Sequence, residues 1–294
     1  MATLEEVFGG EVALVTGAGS GLGREIARRI AHLGGRVMLA DVDAARVEAT
    51  RAMLDNAPGE VEATVLDVRD ADAVRAAVDA TVERFGGLRH VFSNAGVGVG
   101  GSPGEMDMRD WRWIVDINLL GVVNGVEAAL PHLKANAPAA DGLRGHIVNT
   151  ASLAGHMALS GLGPYHATKF AVVGLSESLR QELMFSKIGV TALCPSFVKT
   201  DIHNTANNSP SARERGGLAL DDPKYLAGKA AVDNGQELET YIELALRAVA
   251  SNRMHSFNDP LAGTAFEMRK GMLDADLAAA LEDLAEMEAG AERT

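Results

Sequence analysis

Short apolar runs alternate along the chain with longer segments of helical periodicity. The runs are VALVTG, RVMLAD, EATVLDV, HVFSNAG, GHIVNTAS and GVTALCPS. Between them, apolar residues recur at three- and four-residue spacing near 21–33, 43–55, 71–85, 107–134 and 164–187. This alternation predicts an α/β fold, a doubly wound parallel sheet with helices on both faces. Such sheets bind ligands beyond the carboxyl ends of their strands.

The pattern changes after residue 200. Residues 201–235 are polar and rich in Asn, Ser, Asp and Gly, which predicts a long loop acting as a substrate lid. A helix near 235–251 and a short strand in MHSFND follow, and the spacing over 261–289 predicts one or two amphipathic helices in a C-terminal extension, 261–294. The length of 294 residues suits a single α/β domain, 1–294, with these insertions.

Composition and charge limit the kinds of partner that the protein is expected to bind. The net charge of −13 argues against a nucleic-acid surface, which needs clustered Lys and Arg. The N-terminal segment is acidic where a secretory signal would be basic, and no uninterrupted apolar run approaches membrane-spanning length. Cys194, the one cysteine, stands in the apolar VTALCP and is predicted to be a buried structural thiol. We therefore expect a cytoplasmic protein with no membrane contact and a small-molecule substrate.

A glycine-rich turn, TGAGSGLG at 16–23, joins the first strand to the first long helix. It does not fit G-x-G-x-x-G, but Gly17, Gly21 and Gly23 fit G-x-x-x-G-x-G. Glycines let backbone amides approach a pyrophosphate, and the following helix N-terminus adds partial positive charge. The turn therefore predicts a dinucleotide site.

The second strand ends at Asp41, eighteen residues beyond Gly23, close to the spacing of an acid that binds the adenosine ribose hydroxyls. A carboxylate there would repel a 2′-phosphate, and neither Ser20 nor Val42 offers compensating positive charge. NAD is therefore favoured over NADP. The alternative is a helix N-cap, because Asp43 lies at the same boundary.

Two tyrosines have a lysine at the fourth following position, Tyr165 with Lys169 and Tyr225 with Lys229. On a helix such a pair shares one face. Tyr165 follows a Gly-Pro helix start and an apolar strand that ends in Ser152, whereas Tyr225 lies in the polar segment. This context favours Tyr165 as the chemical pair and predicts a surface position for Tyr225, with a lid contact to ligand as the alternative.

The order of motifs over roughly residues 8–200 resembles the short-chain dehydrogenase/reductase family. The stretches that carry the resemblance are TGAGSGLG, LDV with Asp67 and Val68, SNAG at 93–96, DINLLG with Asn118, VNTAS ending in Ser152, Tyr165 with Lys169, and PSFVKT at 195–200. The resemblance implies a Rossmann-type fold and an NAD-dependent oxidoreductase that interconverts a secondary alcohol and a ketone.

The resemblance also implies catalytic roles for Asn118, Ser152, Tyr165 and Lys169. Tyr165 is the acid/base, but a free phenol with a pKa near 10 is a poor base at neutral pH. The ammonium of Lys169 favours the phenolate and is expected to bind the nicotinamide ribose. Ser152 binds the substrate oxygen, and Asn118 holds a water that relays protons from Lys169 to solvent.

The expected cofactor contacts follow the same motifs. They are Gly17, Ser20, Gly21, Leu22, Gly23, Asp41, Asp67, Val68, Asn94, Ala95, Gly96, Tyr165, Lys169, Pro195, Val198 and Thr200. Two positions depart from the family pattern. Ser93 stands where the family usually has Asn, and Ser196 stands where it usually has Gly. The second change means that the turn at 195–200 could follow a different backbone path from that of the family.

Candidate substrate contacts are mostly apolar, namely Val97, His156, Met157, Leu159, Leu162 and Phe197. They predict a bulky aromatic or steroid-like alcohol or ketone. The C-terminal third loosely resembles sphingomonad-type dehydrogenases that act on benzylic secondary alcohols. His146, His156 and His166 have no partner at metal-ligand spacing, so we predict no metal.

Several functional alternatives stay open at this point. A non-enzymatic dinucleotide-binding redox sensor shares the fold, although such proteins typically lose Tyr or Lys, and a lyase or epimerase shares all these motifs. By resemblance, the helices carrying Asn118 and Tyr165 form a homodimer or homotetramer interface. Of Trp111 and Trp113, which cannot share one helix face, one is predicted to be packed and the other interfacial.

Overall fold

Seven parallel strands form one sheet within residues 2–101, 104, 106–217, 221 and 223–291, which the computed structural model describes. The strands are β1 (Val12–Thr16), β2 (Arg36–Asp41), β3 (Val61–Val65), β4 (His90–Ser93), β5 (Gly145–Thr150), β6 (Ile188–Cys194) and β7 (His255–Phe257). Their order across the sheet is β3-β2-β1-β4-β5-β6-β7. Successive strands are added on one side of β1 up to β3, and from β4 onward they are added on the other side. The predicted Rossmann-type α/β fold is confirmed, and this change of side marks where such sheets bind ligands.

Helices connect the strands. They are α1 (Leu4–Phe8), α2 (Gly21–His32), α3 (Ala44–Met53), α4 (Ala71–Phe85), α5 (Met108–Val115), α6 (Gly121–Ala135), α7 (Gly163–Glu182), α8 (Pro210–Glu214), α9 (Pro223–Asp233), α10 (Leu238–Ala250) and α11 (Leu261–Ala291). Two 3₁₀ segments, Leu153–Gly155 and Ile202–Asn208, and one π-helical turn, Asp116–Leu120, complete the set. The helices predicted from periodicity between β1 and β7 are all present.

The sheet buries both of its faces. Along β1, Leu14 belongs to a core cluster with residues of α4, α6 and α7, whereas Ala13 and Val15 belong to a second cluster with residues of α2 and α10. This alternation follows from the two-residue period of a strand. Because helices cover both faces, the strands read as nearly continuous apolar runs.

Aspartates cap three of the helices. Asp43, Asp70 and Asp107 each accept hydrogen bonds from backbone amides in the first turns of α3, α4 and α5. Asp43 is therefore the N-cap of α3, which leaves Asp41, two residues earlier, for another role. The alternative that Asp41 caps this helix is thereby resolved.

The segment 201–235 is largely helical within its described residues, so the prediction of a long loop was wrong. It contains the 3₁₀ segment Ile202–Asn208 together with α8 and α9. Ser209 caps α8 by accepting a hydrogen bond from the Ala212 amide, and Pro210 stands at its first position. Polar composition alone suggested a loop, but a cap followed by proline starts a helix even in a polar sequence.

The helix predicted near 107–134 is continuous but not regular, because α5 and α6 are joined through the π-helical turn. The run Met108–Ala135 is the one helix among the described residues that is long and apolar enough, by length and composition, to cross a membrane. In this fold 44% of its most apolar window is buried, and a buried core helix meets the same criterion.

Contacts divide the chain into two units, Met1–Asn258 and Asp259–Thr294. The second unit is built on the single 31-residue helix α11. Its apolar residues change face along the helix: Leu261, Met268 and Met272 share one side, whereas Leu273 and Leu277 lie about 120–160° around the axis from Leu261. The predicted helical extension is present, but it does not carry one continuous apolar stripe.

Buried histidines predict acid sensitivity. His90 on β4 lies 3.1 Å through Nε2 from the Val7 carbonyl oxygen, and burial lowers its pKa to about 4. The unfolded chain binds this proton below about pH 6.5, but the folded protein does not until about pH 4. Within that window the unfolded state holds more protons, so stability falls as pH falls.

We expect His90→Gln to reduce this loss of unfolding free energy by about 2 to 3 kcal/mol between pH 7 and pH 4. Glutamine keeps a donor for the Val7 carbonyl but does not titrate. Urea denaturation of both proteins at the two pH values measures the difference. An identical pH dependence in wild type and variant would contradict this account.

Candidate active site

A cavity of about 1910 Å³ lies beyond the carboxyl ends of the strands. It is lined by residues that follow β1 to β6, including the glycine turn, Asp41, Asp67, Asn94, Ser152 and Pro195. Its volume exceeds the roughly 300–1,000 Å³ of a drug-sized ligand site. It therefore has room for a dinucleotide together with a substrate.

The glycine turn is shaped by close backbone approaches. Gly17 has φ +67°, and a Cβ there would lie 2.9 Å from the Ala95 Cα. A Cβ at Gly23 would lie 2.2 Å from the Gly17 carbonyl oxygen. Gly17, Ser20, Gly21 and Leu22 line the cavity, but Gly23 does not. Gly23 therefore packs α2 closely against the turn, and its cofactor contact stays a prediction.

The N-terminus of α2 has no side-chain cap. Its N-cap residue, Ser20, lines the cavity and makes no capping hydrogen bond, unlike the aspartates that begin α3, α4 and α5. The first amides of a helix need acceptors, and the helix dipole favours an anion at that end. The residues present thus fit the pyrophosphate of a dinucleotide.

Asp41 stands beside this turn with both carboxylate oxygens bound to the backbone. One oxygen accepts from the Gly19 amide at 2.9 Å and the other from the Asp43 amide at 3.0 Å. Two arginines also line this end of the cavity, which the sequence analysis missed. Arg46 pairs with Asp43 at 3.3 Å and Arg69 with Asp67 at 2.5 Å, so both are already neutralised.

The residues predicted after β3 and β4 also line the cavity, namely Asp67, Val68, Asn94, Ala95 and Gly96. The Asn94 side chain donates to the Thr16 carbonyl at 3.0 Å and accepts from Thr150 Oγ at 3.1 Å, which ties β1, β4 and β5 together. Ser93 is buried and faces Gly125, where a Cβ would lie 2.6 Å from the Ser93 Oγ. Ser93, which stands where the family usually has Asn, therefore packs between β4 and α6.

Ser152, Tyr165 and Lys169 lie together in the cavity wall. Helix α7 begins at Gly163 with Pro164 in its first turn, and the helical spacing places Tyr165 and Lys169 on one face. The Lys169 Nζ lies 5.7 Å from the Tyr165 ring centroid and donates to the Thr150 carbonyl at 2.8 Å. Ser152 Oγ donates to the Pro195 carbonyl at 3.2 Å and also interacts with the Tyr165 side chain.

Burial sets the protonation of this group. Burial lowers the pKa of Lys169 to about 8, so at neutral pH the lysine still holds most of its proton. Burial raises the pKa of Tyr165, and the Ser152 hydroxyl partly offsets that rise. Burial also raises the pKa of the Cys194 thiol, and the charge of Lys169 offsets only part of that rise. Cys194 therefore stays a neutral thiol, in agreement with the predicted structural role.

Asn118 lies in the π-helical turn and is fully buried. Its Oδ1 accepts from the Val97 amide at 2.8 Å and its Nδ2 donates to the Val97 carbonyl at 2.9 Å. Asn118 does not itself line the cavity, but a Cβ at Gly96 would lie 3.4 Å from its Oδ1 and 3.7 Å from the Lys169 Nζ. The structure therefore shows it holding the loop after β4 beside Lys169. The π turn that aims its amide has no signal in the hydrophobic pattern.

Five of the six predicted substrate residues line the cavity, namely Val97, Met157, Leu159, Leu162 and Phe197. His156 does not: its Nε2 lies 3.4 Å from Cys194 Sγ, and its ring packs 5.2 Å from those of His255 and Phe257. These contacts agree with a packing role for His156 and not with the alternative of a substrate contact. Within the described residues no group of three or more His, Cys, Asp or Glu side chains could hold a metal ion.

The structure adds residues that the sequence analysis missed. Met106 and Trp113 line the cavity and pack in the same apolar cluster as Tyr165, so Trp113 is the packed member of the tryptophan pair. Tyr225 also lines the cavity, and its hydroxyl donates to Asn204 Oδ1 at 2.8 Å. Its lysine partner, Lys229, turns instead to Asp233. Tyr225 is therefore partly exposed on the cavity rim and separated from its lysine, while its contact with a ligand stays a prediction.

The turn after β6 accommodates its unusual serine. Ser196 is not among the described non-glycine residues with positive φ, and its amide donates to Asn258 Oδ1 at 2.8 Å. Pro195, Val198 and Thr200 line the cavity as predicted from the motif. The backbone therefore follows a path that serine can adopt.

The fold and this arrangement of Ser, Tyr and Lys define a class of dinucleotide-binding oxidoreductase. The chain matches the family described as short chain dehydrogenase over residues 11–211, and it belongs to that family. A short-chain dehydrogenase/reductase from Burkholderia phymatum, crystallised in complex with NAD, superimposes with a TM-score of 0.83 at 35% identity, covering 92% of this chain and 96% of that one.

Two further relatives match most of the chain. The C alpha-dehydrogenase of Sphingobium sp. strain SYK-6 is 31% identical over 286 residues, 97% of this chain and 90% of the relative. The CLA biosynthesis dehydrogenase/reductase of Lactiplantibacillus plantarum is 30% identical over 260 residues, 86% of this chain and 89% of the relative. The similarity to the Sphingobium enzyme thus reaches beyond the Rossmann core.

Proposed function

We propose that the protein is an NAD-dependent oxidoreductase that interconverts a secondary alcohol and a ketone, with Tyr165 as the acid/base. The observation that carries this proposal is the placement of Ser152, Tyr165 and Lys169 in one cavity with the uncapped N-terminus of α2 and Asp41. When bound, the nicotinamide supplies the carbon that accepts or gives the hydride. The chain's own residues position the substrate and move the proton.

Each side chain has a defined task in this chemistry. Tyr165 takes the hydroxyl proton during alcohol oxidation and returns it during ketone reduction. Ser152 interacts with the phenol, and rotation of its hydroxyl away from the Pro195 carbonyl lets it donate to the substrate oxygen and stabilise the charge that develops there. The protonated Lys169 beside the ring favours the phenolate. Asn118 holds the Val97 backbone in place at the edge of this group, and we retain its role in a water relay as part of the proposal.

NAD is the proposed cofactor. Asp41 brings a carboxylate to the position expected for the adenosine ribose, and the nearby Arg46 and Arg69 are paired with Asp43 and Asp67. A 2′-phosphate would therefore meet the Asp41 carboxylate, while both arginines of the described cavity lining at this end already have a carboxylate partner. The NAD complex of the Burkholderia relative supports the same choice.

The two reaction directions should have opposite pH dependence. Oxidation needs Tyr165 without its proton, and reduction needs it protonated, while burial raises the pKa of that phenol. We expect kcat/KM for alcohol oxidation to rise by up to about tenfold per pH unit until the pKa is passed, and kcat/KM for reduction to fall above it. Rate profiles in both directions measure this, and parallel profiles would contradict the role of Tyr165.

The direct test is the absorbance of reduced nicotinamide during incubation with a panel of benzylic and steroidal secondary alcohols. We expect reduction of NAD, with slower reduction of NADP. The apolar wall formed by Met106, Trp113, Met157 and Phe197 supports bulky aromatic or steroid-like substrates over small alcohols. Tight NAD binding without turnover of any alcohol or ketone would favour a redox sensor, and turnover without net redox change would favour a lyase or epimerase.

We also propose that the protein is a homodimer or homotetramer across the helices that carry Asn118 and Tyr165. The exposed apolar side chain of Leu120, in the π-helical turn, supports contact on this side. Light scattering coupled to size exclusion measures the mass, and a monomer at micromolar concentration would contradict the assembly.

A further inference from the structure

The charged residues of the cavity differ between its two ends. Four arginines line it among the described residues, Arg46, Arg69, Arg213 and Arg215. The first two lie at the adenosine end, and each pairs with a carboxylate. Arg213 and Arg215 lie in and just after α8, at the substrate end. Neither takes part in any ion pair formed among the described residues, in a chain whose acidic residues outnumber its Lys and Arg by 40 to 27.

The described carboxylates on and beside α5 and α8 are occupied by other partners. Asp107 accepts from the Arg109 side chain, which also pairs with Glu214. Buried Asp110 accepts from both the amide and the hydroxyl of Ser211. Hydrogen bonds from the Arg109 side chain and amide lower the pKa of the Asp107 carboxyl, and the charge of Arg215 adds the smallest contribution without forming an ion pair. The guanidinium of Arg213 therefore has donors that no described carboxylate uses.

This basic group is separate from the proton-transfer group. Neither Arg213 nor Arg215 is among the charges that shift the pKa of Tyr165 or Lys169. The apolar side chains of Met106 and Trp113 line the same cavity and pack in one cluster with Tyr165. A ligand that reaches from Tyr165 to Arg213 thus needs a reacting carbon, an apolar body and a distant charged end.

We propose that the substrate is an anionic secondary alcohol or ketone whose carboxylate or phosphate, remote from the reacting carbon, binds Arg213 with support from Arg215. The inference rests on the proposed function and deepens it. Guanidinium donors match the geometry of both oxyanions and give hydrogen bonds stronger than neutral ones. Asp107 and Asp110 also line the cavity near α8, but Asp107 pairs with Arg109 and Asp110 is bound by Ser211, so neither forms an ion pair with Arg213 or Arg215.

Matched ketones that differ only in charge test this proposal. The first series is para-acetylbenzoate, para-acetylphenyl phosphate and the neutral para-acetylbenzamide, and the second uses the longer acetylbiphenyl acid and its amide. Binding is followed by quenching of tryptophan fluorescence, because Trp113 lines the cavity. Reduction is followed separately with NADH. The carboxylate and phosphate arms distinguish the two sources of negative charge.

We expect at least one anion to bind roughly tenfold more tightly than its amide, and Arg213→Gln to remove that preference through KM with little change in kcat. Arg213→Lys should retain part of it, because the charge remains but the fork of donors is lost. Arg112→Gln is the matched control: Arg112 is exposed on α5, has no ion pair among the described residues and does not line the cavity. It should keep the wild-type preference.

The outcomes separate the inference from the proposed function. Ketone reduction without any charge preference, or a preference that persists in Arg213→Gln, would overturn the anion site and leave the oxidoreductase intact. Tighter binding of the anion that is lost in Arg213→Gln supports the anion site. If the same anionic ketone is also reduced, the result supports both the anion site and the oxidoreductase function. Such binding without reduction of any ketone or oxidation of any alcohol would overturn the function and, with it, the substrate assignment.

Discussion

Replacing Tyr165 by Phe lowers kcat by roughly 10³-fold in both directions while leaving dinucleotide binding within about twofold of wild type. The variant removes only the phenolic oxygen, so the ring still packs beside Met106 and Trp113. What is lost is the group that exchanges a proton with the substrate oxygen. Steady-state kinetics with a secondary alcohol, together with a dinucleotide titration, measure the two quantities.

Tyr241→Phe is the matched control for this variant. Tyr241 is the fully buried tyrosine of α10, belongs to a core cluster and does not line the cavity. It should keep wild-type kcat, whereas a comparable loss in both variants would mean that any buried hydroxyl change disturbs the fold. If Tyr165→Phe kept more than a tenth of the wild-type kcat, the acid/base role of Tyr165 would be wrong.

Replacing Asp41 by Asn raises the kcat/KM ratio of NADP to NAD by roughly a hundredfold, because the like charge opposite a 2′-phosphate is removed. Asparagine keeps an oxygen that can accept from the Gly19 amide, as Asp41 does at 2.9 Å, but its NH2 group replaces the oxygen that accepts from the Asp43 amide at 3.0 Å. The variant is therefore checked by thermal unfolding before its rates are compared. Initial rates with each dinucleotide at limiting concentration measure the ratio.

Asp43→Asn removes the same charge two residues away and is the comparison. Asp43 caps α3 through the Ala45 and Arg46 amides, a role that asparagine also performs. Asp43→Asn also releases Arg46 from its ion pair, so it should raise the ratio, but by less than Asp41→Asn, which removes the carboxylate proposed to face the ribose. Equal effects would mean that the general negative potential of this end, and not contact with Asp41, selects the cofactor.

The parts of the fold that the sequence predicted are those with local signals. Alternating strand and helix patterns, the glycine turn and the Gly-Pro start of α7 each depend on residues close in sequence. Tyr165 and Lys169 came from the same kind of signal, since a four-residue spacing on a helix fixes their shared face. The sequence left two roles open for Asp41, a ribose contact and a helix N-cap. The structure shows that Asp43 is the N-cap of α3.

The misses are features decided by contacts distant in sequence. His156 was placed near substrate by its position after Ser152, but tertiary packing turns it toward Cys194, 38 residues away. The lid was read as a loop because polar composition hid the caps of its short helices. Trp113 and Arg213 line the cavity only because α5 and α8 converge there, and no periodicity of either helix carries that information.

The most direct test of the central claim follows the hydrogen on the reacting carbon. A secondary alcohol deuterated at that carbon is incubated with the protein and NAD, and both products are analysed by mass spectrometry. Direct hydride transfer beside Tyr165 predicts deuterium in the reduced nicotinamide, one equivalent for each ketone formed. Deuterium retained in the organic product, or lost to water without net NADH, would contradict the account and favour a lyase or epimerase.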